Sequence, residues 1–257
     1  MMYRKVIISL ILAMVGLAHS SQSQTDSTKK TCNYKYNNYY DLALSYGDNE
    51  LVGALGWSHL HKFGKKKRFH IGYGVRYSGY WGGNKLYTTA PSKYTSTKQG
   101  LGTILSDDVP ANIDTISIIS PQVNSFNAVL HIQYAILPKL EFGTNIDLVG
   151  FSFGGIVPSS VVSSVFDDGQ KPVQDVSPTK LNLLLTSDND IGSLNSEFYI
   201  RYWLHKKWAI KAGYTFYFSE YSTKQKLSFD NGRIQNDRYR LKSGLFMLGI
   251  TFSPFNK

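Results

Sequence analysis

Apolar and polar side chains alternate along most of this chain with the period of a β-strand, in which successive residues point to opposite sides. Residues 68–81, RFHIGYGVRYSGYW, show it best. Phe69, Ile71, Tyr73, Val75 and Tyr77 share one face, and His70, Gly72, Gly74, Arg76, Ser78 and Tyr80 share the other. A greasy, aromatic face opposite a glycine-rich face carrying charge predicts a strand with lipid on one side and a polar lumen on the other. The pattern recurs over residues 39–47, 51–62, 126–136, 140–153, 195–204, 208–219 and 239–252. In the last segment Arg240 and Lys242 share parity with Phe246, Leu248, Ile250 and Phe252. That predicts either a bulge near Ser243 and Gly244 or emergence of the strand from the membrane there.

Most of these runs reach the roughly 9–11 residues of a tilted membrane-spanning strand, well beyond the roughly 5–6 of an average soluble one. Tight turns at 64–67, 138–139 and 205–207 alternate with long polar links at 82–125 and 154–194 and a shorter one at about 220–238, once 47–50 is taken as a small first loop. Outer-membrane barrels alternate short turns and long outside loops in the same way. The expected fold is therefore all-β, an antiparallel up-and-down transmembrane β-barrel of eight strands over residues 39–257, with long extracellular loops at about 82–125 and 154–194. Residues 114–120 and 180–186 have strand character inside those loops. As extensions of their neighbours above the membrane they leave the count at eight; as halves of further hairpins they raise it to ten or twelve.

The chain opens MMYRKVIISLILAMVGLAHSSQSQ, with Arg4 and Lys5 ahead of an apolar run from Val6 to about Ala18. That is the anatomy of a secretory signal peptide over residues 1–20, with cleavage after Ser20. The run falls short of the roughly 20 residues a spanning helix needs. No other segment is apolar and long enough, so a membrane protein of this sequence must be a closed barrel. Residues 21–38, polar and rich in Lys, Ser and Thr, read as a disordered periplasmic leader. Cys32, the single cysteine, has no internal disulfide partner. It follows Lys29, Lys30 and Thr31, not the small apolar residues that precede a lipid-modified cysteine.

A net charge of +10 points to nucleic acid, a membrane surface or an acidic polymer. Export argues against nucleic acid, and no recognition helix or aromatic RNA-binding motif occurs. The lysines read as decoration of turns and loops beside anionic headgroups.

In this architecture the chain resembles the small eight-stranded outer-membrane β-barrel proteins of Gram-negative bacteria, from about residue 39 to the end. The run LEFGTNIDLVGFSFGG, 140–155, is similar to strands of outer-membrane barrel families. The resemblance implies residence in the outer membrane among its lipids. It also implies a structural, attachment or accessory role in the cell envelope, with any surface partner met through the loops. A lipid-modifying enzyme on the same scaffold and a small pore or transporter stay open as alternatives. Such proteins commonly end on an aromatic residue that the insertion machinery reads, and here Phe252 and Phe255 both qualify.

An eight-stranded barrel is narrow and filled by side chains. The inward candidates are His70, Arg76, His131, Gln133, Glu141, Asn145, Asp147, Glu197, Arg201 and Lys211. Both signs occur, so the expectation is a paired polar plug. Tyr46, Tyr77 and Tyr214 are expected in an outer aromatic band, and Phe69, Phe142, Tyr202, Trp208 and Phe252 in an inner one. Catalysis needs a nucleophile within reach of its base. No histidine stands beside a serine in a recognisable catalytic arrangement, and an acid/base pair such as Glu197 with His131, or a proton or ion path, is the alternative to the plug. His59 and His61 share a strand face without a carboxylate or thiol. No catalytic, cofactor or metal site is predicted. Residues 156–166, IVPSSVVSSVF, are unusually apolar for a loop; they are expected to fold over the barrel mouth or meet a partner.

Overall fold

The computed structural model describes residues 38–90, 95, 113–162, 173–185, 189–229 and 234–254, all within one compact unit, Cys32–Lys257. The signal peptide and the leader lie outside the described residues except for Asn38, which opens the first strand. Phe255 and residues 163–166 of the apolar loop lie outside them too.

Among the described residues thirteen strands form one sheet. They are β1 Asn38–Gly47, β2 Glu50–Phe63, β3 Phe69–Gly82, β4 Lys85–Thr89, β5 Thr115–Ile118, β6 Gln122–Leu137, β7 Leu140–Phe153, β8 Val157–Val161, β9 Val173–Pro178, β10 Leu181–Leu183, β11 Leu194–Trp203, β12 Trp208–Phe229 and β13 Ile234–Phe252. The eight long ones pair antiparallel in the order β1-β2-β3-β6-β7-β11-β12-β13, and β13 closes on β1 through Tyr40↔Phe252 to Tyr46↔Phe246. Closure matters because every inner and outer edge then has a hydrogen-bonded neighbour.

Alternation decides what each strand turns outward. On β1, Leu42, Leu44 and Tyr46 are 55%, 57% and 64% exposed, whereas Asp41, Ala43 and Ser45 are 8%, 3% and 3%. The same holds across the ring to β13, where Phe246, Leu248 and Ile250 are exposed and Leu245 and Met247 are buried. Large apolar side chains outside and charges inside invert a soluble protein, and are the distribution of a barrel that stands in lipid. β7 keeps this order through a register shift against β6 between Ala128 and Val129. Leu148 and Val149 both face outward there, which carries Phe151 and Phe153 to the lipid side although they break the parity of Phe142. In β13 no bulge occurs at Ser243 and Gly244: pairing with β12 runs unbroken from Trp208↔Phe252 to Ser222↔Arg238. Of the two expectations, the strand emerging from the apolar belt is the one observed.

The five short strands fill the stretches read as loops. β9 pairs with β12 at Tyr221–Thr223, β4 pairs with β13 at Tyr239 and Arg240, and β4-β5-β8-β9 pair in series between them. A second ring of six strands thus stands on the first and shares β12 and β13 with it. β10 adds to β7 at Leu181↔Phe151. Within the strand-like stretches, Thr115–Ile118 and Leu181–Leu183 form separate strands instead of extending their neighbours, and the total among the described residues exceeds eight because the outer ring has strands of its own. The apolar run at 156 becomes β8, whose Val161 enters the core of that ring.

Inward glycines set how closely neighbours approach. A Cβ on Gly74 would strike the Trp57 carbonyl and lie 2.8 Å from His131 Nε2, both fixed in the wall. Gly155, by contrast, has nothing within 4 Å. Gly74→Ala is expected to destabilise the folded barrel by about 1–3 kcal/mol through overpacking, and Gly155→Ala to leave it unchanged. Urea-dependent unfolding in micelles, followed by tryptophan fluorescence, reads the difference.

Candidate functional site

The lumen is built in layers, each from residues two positions apart on their strands. Nearest the tight turns lies an apolar floor of Tyr39, Leu60, Trp203 and Ala209. One step outward Arg201 donates through Nη2 to Asp41 Oδ1 at 3.1 Å and through Nη1 to Glu141 Oε2 at 3.4 Å. Asp41 also accepts from Thr251 Oγ1 at 2.5 Å. The guanidinium is stacked between Tyr39 and Tyr199, with ring centroids 5.1 and 5.2 Å from Cζ.

The next layers hold the denser network. Lys211 Nζ donates to Glu197 Oε2 at 2.6 Å, and Asn145 Nδ2 to the same oxygen at 2.9 Å. Arg76 faces Glu197 Oε1 from Nη1 at 3.0 Å and donates from Nε to Asp147 Oδ1 at 3.0 Å. The other Asp147 oxygen accepts from Asn127 Nδ2 at 2.7 Å and from the Asn195 amide at 2.9 Å. Asn127 Oδ1 in turn accepts from Asn182 Nδ2 at 2.7 Å, and Asn182 Oδ1 accepts from Ser152 Oγ and the Ser193 amide. The chain that enters β11 is thereby tied to the barrel interior.

Above these pairs sits an aromatic roof, the core of the outer ring. Tyr80 and Tyr217 stack with centroids 5.2 Å apart, and Tyr87 meets Tyr221 edge-on at 5.4 Å. Ile116, Ile118, Val161 and Val176 complete it. Tyr221, above the belt, donates to the Gln122 carbonyl at 2.9 Å, and burial pushes its phenol up to about 12. It remains a neutral donor at any physiological pH.

On the opposite face of β12 and β13 from these tyrosines, Glu220 binds Arg238 Nε at 2.7 Å and Arg240 Nη2 at 2.8 Å. Both guanidinium groups also donate to the Asp190 carbonyl. Burial raises the Asp190 carboxyl above its ordinary value, offset in part by the Leu185 amide that it accepts. This cluster holds residues 190–193 against the wall, where Gly192 turns with φ +76°.

Of the residues singled out from sequence, Arg76, Asp147, Glu197 and Lys211 meet in one network, and Arg201 meets Glu141 in another. Gln133 and Asn145 join through Tyr199, whose hydroxyl lies 2.6 and 3.3 Å from them. His70 stands apart, donating from Nε2 to the Lys67 carbonyl at 3.1 Å. His131 is buried, and neither ring nitrogen closes a hydrogen bond of normal geometry among the described residues. It borders a cavity shared with Asp41, Arg76 and Lys211, with ≈ 10 Å³ open to a water-sized sphere, room for about one water. His131 and Glu197 both line that cavity, but the Glu197 oxygens are occupied by Lys211, Asn145 and Arg76. Asp41 was missed, although Tyr40 and Leu42 on either side already place it inward. Asn127 joins the network from the polar face that it shares by parity with His131 and Gln133, and Asn182 was missed because it lies in a stretch read as loop.

Of the aromatic-band candidates, Tyr46, Phe69, Tyr77, Tyr202 and Trp208 are exposed on the outer face, and Phe142, Tyr214 and Phe252 are half-buried there. Tyr46, Phe246 and Tyr214 share a register level toward the outer ring. Trp208 packs on Phe252 at 4.5 Å toward the turns. His59 and His61 lie side by side with ring centroids 4.8 Å apart, and His59 Nδ1 meets Asn38 Oδ1 at 2.6 Å.

No family model matches this sequence, and no curated protein sequence does either. Among solved structures the chain is similar to Neisserial surface protein A, at 9% identity over 84% of this chain and 93% of that one, with a TM-score of 0.34. It is similar to the Yersinia pestis outer membrane protein Ail at 9% identity over 84% and 98%, with a TM-score of 0.35. The Pseudomonas putida toluene transporter TodX matches at 9% over 84% and 89%, with a TM-score of 0.23. At such scores these likenesses carry no information on role.

Removing one partner of a buried ion network strands the others, at a cost of about 3–5 kcal/mol. Arg76→Met is expected to lose that much, with Asp147 and Glu197 left facing each other. Adding Asp147→Asn to it should recover part of the loss. Equilibrium unfolding of the purified barrel measures both.

Proposed function

We propose that this chain is an exported outer-membrane β-barrel of a Gram-negative envelope that carries its six-stranded outer ring at the cell surface as a structural or attachment module. The observation that supports this best is the combination of a continuous apolar exterior with a lumen filled from floor to roof. A greasy belt needs lipid. Layers of interlocked charges between two apolar seals support a filled plug over a path for an ion or solute. Loops and rings on a rigid scaffold are where recognition commonly resides, and here Leu86, Ile119, Ile156 and Val173 are 56%, 62%, 62% and 69% exposed on the outer ring. The apolar run of residues 6–18 supplies the export signal in this reading, and the tight turns face the periplasm.

Three measurements test it. The folded protein should migrate differently on a detergent gel before and after boiling. In planar bilayers it should give no conductance steps; regular steps would replace the sealed module with a pore. In a Cys32→Ser background, Ile156→Cys should react with an impermeant maleimide on intact cells, whereas Lys139→Cys should react only after the outer membrane is opened. The reverse pattern would invert the orientation and overturn the proposal.

A further inference from the structure

The two ends of the barrel differ in how their charges are distributed. Toward the outer ring, acids and bases come together: Lys85 with Asp48 and Glu50, Lys224 with Asp175, and Glu220 with Arg238 and Arg240. At the turn end the distribution is one-sided. The β2–β3 turn carries Lys65, Lys66, Lys67 and Arg68, the β6–β7 turn carries Lys139, and the β11–β12 turn carries Lys207, all exposed. Among the described residues none of these six pairs with a carboxylate. The nearest acids along the strands, Asp41 and Glu141, point into the lumen and are held there by Arg201.

The turn geometry keeps these cations outside. Gly64, with φ +81°, and Lys67, with φ 49°, reverse the chain tightly, and the Lys67 amide returns to the Gly64 carbonyl at 3.1 Å. His70 holds the Lys67 carbonyl from below, so this turn is a fixed platform and not a loose tail. Behind this turn Phe69 lies on the outer face, and behind the β11–β12 turn lie Tyr202 and Trp208. A row of cations just beyond a row of aromatics matches the headgroup region of a bilayer, where phosphates lie one layer outside the acyl chains.

We infer that the turn end is a cationic collar that binds the phosphates of anionic phospholipids in the leaflet it faces. The occupant is a lipid and not a soluble polyanion because the cations are spread over three separate turns of the ring instead of converging on one pocket. They stand level with a surface that surrounds the barrel, and the aromatics behind them supply the acyl-chain half of the same site. This rests on the membrane reading above and adds the lipid class and the leaflet.

The test uses the full chain refolded in neutral dodecyl maltoside, in a Trp81→Phe/Trp203→Phe background so that Trp57 and Trp208 report the turn end. Brominated-chain phosphatidylglycerol and phosphatidylcholine are titrated separately and quenching is compared. A preference for phosphatidylglycerol of about fivefold is expected, the factor for one cation beside an anionic surface. It should fall in K65Q/K66Q/K67Q, which leaves Arg68, Lys139 and Lys207 in place, should fall to about one in high salt, and should survive K180Q/K224Q/K226Q at the other end. Equal preference in the parent and K65Q/K66Q/K67Q, or equal loss in both triple variants, would overturn the collar. Displacement by inorganic phosphate beyond that by chloride at equal ionic strength would also overturn it, in favour of a soluble ligand. Absence of quenching by either lipid would instead sink the membrane reading itself. Because the substituted lysines are exposed turn residues, unchanged unfolding midpoints will separate lost binding from lost folding.

Discussion

A charge enclosed by a closed strand wall has no bulk water to turn to, and most of this structure follows from that constraint. Ring closure makes the interior narrow, and side-chain alternation sends half of every strand into it. What points inward costs least when it is small, apolar or partnered. The chain uses all three solutions in order along the axis: glycines where neighbours crowd, as at Gly74 beside His131; apolar seals at the two ends; and interlocked carboxylates, guanidiniums and amides between them. Four carboxylates, Asp41, Glu141, Asp147 and Glu197, are satisfied by only three cations because Thr251, Asn127, Asn145 and the Asn195 amide supply neutral donors. Such neutral donors let a lumen be packed without matching charge for charge.

The outer ring answers a second constraint. β12 and β13 continue past the ends of their partners: β11 starts at Leu194 opposite Phe218, and β1 stops pairing at Tyr46 opposite Phe246. Beyond those points both outer edges of the hairpin would be open, and open edges invite pairing with other chains. β9 takes one edge and β4 the other, and β5 and β8 join them. Because the two rings share a pair of strands, the odd-numbered face of β12 is lumen below and ring core above. Lys211 and Thr215 thus give way to Tyr217 and Tyr221 without any change of parity.

How legible this was in the sequence depends on which force sets each feature. The eight long strands and their lipid faces were readable because lipid imposes a strict period of two over many residues, as in 68–81. The inward charges followed from the same parity. The outer ring was not readable, since strands of three to six residues such as β8 and β10 carry too few alternations to stand out from loop. Their pairing partners lie far away in sequence. Arg240 looked misplaced on a lipid face because its parity matches Phe246; its burial depends on Glu220 and on Asp190, which arrives from another loop. Long-range cover of that kind leaves no local trace.

The distribution of stored energy also bears on where function can reside. Opening the lumen would require breaking Arg76 from Asp147 and Glu197, freeing Asn182 from Asn127 and separating the Tyr80–Tyr217 stack. Each step exposes a group whose partner is left buried and unsatisfied. These losses are coupled, because Asp147 and Asn127 each hold three neighbours, so partial opening forfeits several contacts for little space. A barrel wired this way resists breathing. The groups free to change partners at low cost are those at its ends: the apolar side chains around the outer ring and the lysines on the tight turns. Those two surfaces lie at opposite ends of the barrel, and the packed interior separates them.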